Sequence, residues 1–135
     1  MEQKSSVQHA RRVLVADDDA DVCALLEVAL APLAAVTAVH DAEAALELVA
    51  TQPAYDVIVS DFMLPGIDGV ELVERIRRGA RSPRVSILMI SGHGEQEVGD
   101  RARAAGVDAF LDKPFTVAQL RATVGELLVL PRRCA

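Results

Sequence analysis

Short, uninterrupted apolar runs alternate along this chain with stretches in which apolar residues recur every three or four positions. The clearest runs, rich in Val and Ile, are residues 13–16, 57–60 and 85–90; weaker ones lie at 35–39 and 109–111. They are too short for helices, and they lack the polar alternation of a half-exposed antiparallel strand. They predict strands covered on both faces, as in a parallel sheet. The intervening stretches predict helices. Residues 21–30 set Val22, Leu25, Leu26 and Ala29 on one side, and 42–50 do the same with Ala45, Leu46 and Val49. Residues 70–78 carry Val70, Val73 and Ile76, and 117–130 carry Val117, Leu120, Val124, Leu127 and Leu128. Residues 95–105 offer only Val98 and alanines as an apolar face, with Gly99 inside the helix. Little area anchors that helix, so it and the loop 91–94 are expected to be the most mobile part of the domain. Five strands alternating with five helices make a βα repeat, which winds into a three-layer α/β sandwich.

Length and composition narrow the class. The 135 residues suit one domain, with 11–130 as its body and 1–10 and 131–135 as tails. A content of 51% hydrophobic residues excludes a disordered chain. No apolar run approaches the roughly 18 residues of a membrane span, and residues 1–8 lack the apolar stretch of a signal peptide. A net charge of −6, with arginines scattered, argues against direct nucleic-acid binding. Cys23 and Cys134 have no metal-ligand spacing and read as free thiols in a reducing cytosol, Cys23 as a small core residue. The expectation is a soluble, cytoplasmic domain with no membrane contact.

In an open parallel sheet, ligands bind beyond the carboxyl ends of the strands, so the residues just after each apolar run carry the chemistry. Asp17, Asp18 and Asp19 follow the first run, Asp61 the third, Ser91 the fourth and Lys113 the fifth. Each has an ordinary role available. Asp19 reads as the N-cap of the next helix, Asp61 as a cap for the 65–69 turn, Ser91 as a turn residue and Lys113 as a surface lysine. Together they bring carboxylates, a hydroxyl and an ammonium to one rim. Two carboxylates about 4 Å apart repel by roughly 4 kcal/mol at an effective dielectric near 20, so the cluster calls for a cation. Oxygen ligands alone suit magnesium (Mg2+).

Four segments, in order, resemble the signatures of response-regulator receiver domains of two-component systems. They are VLVADDD at 13–19, VIVSDFMLPGIDG at 57–69, MISG at 89–92 and FLDKPF at 110–115. The resemblance implies the flavodoxin-like (CheY-like) fold, with a five-stranded parallel sheet in the order 2-1-3-4-5 and five helices. It implies that Asp61 accepts a phosphoryl group from a histidine kinase or a histidine phosphotransfer protein. It makes Asp18, Asp61 and the Met63 backbone carbonyl the Mg2+ ligands, with Asp17 acting through water. Lys113 and Ser91 would bind the phosphoryl group, and Ser91 and Phe110 would form the switch. Lys113–Pro114 would be a cis peptide bond. Met63 and His93 are expected to tune the lifetime of the phosphorylated state. The output face would combine residues 95–105, 109–111 and 117–130, meeting a downstream protein target or a second copy of the chain. The chain would then be a signalling domain, not an enzyme, its chemistry confined to its own phosphorylation and dephosphorylation.

Two other readings use the same residues. A receiver that has lost phosphorylation would act as an interaction module, yet every acidic position is filled here. A haloacid-dehalogenase-type phosphatase also starts from D-x-D after a strand, but it needs a further acidic pair after the lysine. Only Glu126 follows Lys113.

Overall fold

The computed structural model describes residues 11–79, 85–92 and 96–129. The expected tails, His93 and Cys134 lie outside the described residues. Five parallel strands form one sheet: β1 (Arg12–Ala16), β2 (Ala35–Val39), β3 (Val57–Asp61), β4 (Ser86–Ser91) and β5 (Ala109–Asp112). Their spatial order is β2-β1-β3-β4-β5, the flavodoxin-like order. Helices α1 (Ala20–Leu30), α2 (Ala42–Thr51), α3 (Gly69–Gly79), α4 (Gln96–Ala105) and α5 (Val117–Val129) link or follow the strands. A two-residue-per-arm hairpin, Met63–Leu64 against Ile67–Asp68, lies between β3 and α3. Its Gly66 adopts φ +81, which favours glycine.

Strand alternation divides the core in two. Val13, Val15, Val57, Val59, Leu88 and Ile90 face α1 and α5. Leu14, Ala16, Ile58, Ile87 and Met89 face the side packed by α2, α3 and α4. The three central strands are buried along almost their whole length, as their unbroken apolar runs require, while the edge strands β2 and β5 are only partly covered. Burying each such Val, Leu or Ile side chain is worth about 1.5–3 kcal/mol.

The helices bury the expected faces with one displacement. Val70, Val73 and Ile76 of α3 are buried, as are Leu120, Val124, Leu127 and Leu128 of α5. In α2, Ala42, Ala45 and Val49 are buried and Leu46 packs at the margin. Helix α1 buries Cys23, Leu26, Ala29 and Leu30, whereas Leu25 is 48% exposed, so its inward face is rotated from the one its spacing suggests. Ala102 anchors α4, being fully buried against the α2–α4 side of the core.

Candidate functional site

Strand order reverses between β1 and β3, because β1 leads outward to β2 while β3 lies on its other side. This topological switch opens a crevice at the carboxyl ends of the strands. Asp17 and Asp18 follow β1 and Asp61 ends β3, so all three stand at that crevice. Their carboxylate oxygens lie within 4.8 Å of one another. Asp17 and Asp61 are buried and Asp18 is exposed.

Each carboxylate has a different set of partners. Asp61 Oδ1 accepts from the Met63 N–H at 2.9 Å, and Asp61 Oδ2 accepts from Lys113 Nζ at 2.9 Å. The phosphoacceptor candidate is therefore pinned at both oxygens, and the 65–69 turn does not use it as a cap. Asp68 does that work, accepting from the Val70 and Glu71 N–H groups at the start of α3. Asp17 Oδ1 accepts from the Asp19 N–H at 2.9 Å, while Asp17 Oδ2 is buried with no hydrogen-bond donor. Burial pushes the Asp17 carboxyl up to about 6, reinforced by the charge of Asp61 and opposed by the Asp19 N–H and by Lys113. Asp19 itself caps α1, accepting from Asp21 and Val22, as its position predicts.

Three clustered carboxylates with one buried oxygen lacking a donor fit a cation that binds oxygen. Among the described residues no other group of three acids, histidines or cysteines is so close.

The remaining residues come from the two outer strands. Ser91 ends β4, is buried, and donates its hydroxyl to Asp112 Oδ1 at 3.3 Å. Lys113 follows β5, held by its N–H to the Ser91 carbonyl at 2.8 Å, and the Lys113–Pro114 bond is cis. Phe110 is half-buried on β5, packing against the core with its ring centroid 4.9 Å from the Arg103 guanidinium of α4. Met63 is 64% exposed on the hairpin beside Asp61. Cys23, expected in the core, lies there with Sγ 3.2 Å from the Asp17 carbonyl, and burial pushes its thiol up. Asp112 and Asp68 were not singled out by the spacing of residues in the sequence. The first is the last residue of β5, next to Lys113, and only strand register sets it opposite Ser91.

Fold and site together define a doubly wound α/β domain with an acidic pocket at its switch point. The family model for the response regulator receiver domain matches residues 13–125, and the chain belongs to that family. It is 26% identical over 121 residues to a probable chemotaxis protein CheY of Rhizobium etli, covering 88% of this chain and 93% of that one. It is 39% identical over 119 residues to the transcriptional regulatory protein PrrA of Mycobacterium leprae, covering 87% of this chain but 49% of the relative. The chain thus spans about half of that longer protein. The crystal structure of the chemotaxis response regulator CheY4 of Vibrio cholerae superposes with a TM-score of 0.81 at 27% identity, covering 89% of this chain and all of that one. Receiver domains are signalling domains that work with histidine kinases and downstream effectors. No helix among the described residues is long and apolar enough to cross a membrane.

Proposed function

We propose that this chain is a phosphorylated switch, with residues 11–130 as its working unit and Asp61 as the acceptor of a phosphoryl group. The donor is a phosphohistidine on a histidine kinase or a histidine phosphotransfer protein. An oxygen of the Asp61 carboxylate attacks phosphorus, and the P–N bond of the donor breaks. The electron pair of that bond stays on the imidazole, and the phosphoryl group becomes an acyl phosphate on Asp61. The observation that carries this reading is a buried Asp61 in contact with Lys113, adjoining two further acids at the switch point.

Asp18, Asp61 and the Met63 carbonyl would hold Mg2+, with Asp17 acting through water. When bound, the ion neutralises charge on the phosphoryl oxygens and orients them. Lys113 would add a positive charge on the other side of Asp61, and its 2.9 Å contact with Asp61 Oδ2 supports a role in pairing with a phosphoryl oxygen. Ser91 donates its hydroxyl to the new phosphoryl group. The rim gains about one negative charge on phosphorylation and draws in these donors. Phe110 follows Ser91, and a bias of a few kcal/mol between conformations is enough to shift their occupancy. The surface of α4, β5 and α5 then meets a downstream protein target or a second copy. Protein contact, not DNA or membrane contact, is the output of this domain, which works in the cytoplasm. Met63 and His93 set the lifetime of the adduct. The complete set of acids favours this reading over a receiver that is not phosphorylated.

The test is incubation with phosphoramidate and Mg2+ followed by intact-mass measurement. The wild-type chain gains one phosphoryl group, and chelating the metal or substituting Asp61→Asn abolishes the gain. An unaltered wild-type mass overturns the proposal.

A further inference from the structure

The bond between Ser91 and Asp112 bears on how the site is regulated. β4 and β5 pair in parallel with Ser91 opposite Asp112, at the last rung of the ladder. The Ser91 hydroxyl points to Asp112 Oδ1 at 3.3 Å, and Asp112 is exposed while Ser91 is buried. A serine hydroxyl carries one proton, so it donates to one acceptor at a time. Donating to a phosphoryl group on Asp61 therefore requires giving up Asp112. At 3.3 Å the bond is longer than the usual 2.5–3.0 Å for a hydroxyl donor, which makes it weak enough to exchange.

We propose that Asp112 is a positioning residue that holds the Ser91 hydroxyl in the unphosphorylated state and competes with the phosphoryl group for its proton. The carboxylate acts as a brake on the switch. It acts through Ser91 and touches neither the phosphoryl group nor the metal. This inference rests on Asp61 being the phosphoacceptor, and it adds a residue to which the similarity with receivers assigned no role.

Removing the acceptor and removing the charge are separable. Asp112→Ala deletes both, whereas Asp112→Asn deletes the charge and keeps an oxygen acceptor at the same place. The rate of adduct formation with phosphoramidate and Mg2+, and the rate of its decay after the donor is removed, are measured for both variants. The same pair is then measured in a Ser91→Ala background. With Ser91 present, Asp112→Ala forms adduct faster than Asp112→Asn by roughly two- to fivefold, the scale of one weak hydrogen bond. In the Ser91→Ala background the difference between the two disappears. Equal rates for Ala and Asn with Ser91 present overturn the inference, as does a difference that survives without Ser91. In either case the wild-type chain still takes its adduct, and the phosphoacceptor reading stands. A wild-type chain that takes no adduct overturns that reading, and this inference with it.

Discussion

Asp17 shows how a buried acid in the candidate site weakens the fold that holds it. The residue is 1% exposed, and its carboxylate faces the charge of Asp61 and leaves one oxygen without a donor. The folded carboxyl sits at about 6, against 3.8 for the free group, so the folded state binds its proton more tightly than the unfolded chain. The stability this contributes is fully present below 3.8 and is lost as pH rises through about 6. In chelator, the urea midpoint is therefore expected to fall between pH 5 and pH 7, and Asp17→Asn flattens the fall. At pH 7 that variant is more stable than wild type by about 0.5–2 kcal/mol, as expected where a site is kept at the expense of stability. Gly69 makes the opposite case, because a Cβ there would lie 2.5 Å from Phe62 Cδ1 and 2.8 Å from the Phe62 carbonyl oxygen. Gly69→Ala is expected to lower stability by about 1–3 kcal/mol, measured by denaturant unfolding. At this scale the sequence was legible where a residue's role is local, as with the Asp19 cap. Asp112 escaped notice because its partner lies 21 residues away and meets it only through strand register.

Among the elements, the strands were the easiest to read and α1 the hardest. β1, β3 and β4 are covered on both faces, so burial shows directly as an unbroken apolar run. Helix α1 reads ADVCALLEVAL, with too few polar residues to mark its outward side, and Leu25 and Val28 are exposed in consequence. The hairpin after β3 has two residues in each arm, too short to leave a periodic signal. Ties between elements were also invisible to spacing. Arg77 of α3 donates to the Val85 and Gly106 carbonyls and to Asp108 Oδ2 at 2.9 Å, and Asp108 Oδ2 also accepts from the Ile87 N–H. One side chain thus joins the end of α3, the start of β4 and the turn after α4. The backbone of that turn is crowded against it: Gly106 has φ +120, and a Cβ there would lie 2.7 Å from Arg77 Nε. Removing one partner of a buried ion pair leaves the other uncompensated, so Arg77→Met is expected to cost about 3 kcal/mol in denaturant unfolding. The exposed pair Arg101–Asp68, at 3.8 Å, is worth far less.

For the whole molecule, topology places the chemistry. The order β2-β1-β3-β4-β5 makes β1 and β3 neighbours whose chain connections diverge, and that divergence leaves room for Asp17, Asp18 and Asp61 to converge. The same order sets β4 and β5 in sequence beside them, bringing Ser91 and Lys113 to the rim. Two apolar layers hold the sheet rigid beneath it. This convergence was legible in the sequence because the candidate residues fall just past the apolar runs, Asp17, Asp61 and Ser91 by one step and Asp18 and Lys113 by two. The central claim is that Asp61 carries the phosphoryl group, and locating the adduct by reduction tests it most directly. After treatment with phosphoramidate and Mg2+, borohydride reduces an aspartyl phosphate to the alcohol, and peptide mass mapping finds homoserine at its position. The account predicts homoserine at position 61 alone. Homoserine elsewhere, or a phosphoryl adduct that leaves Asp61 unreduced, would contradict it.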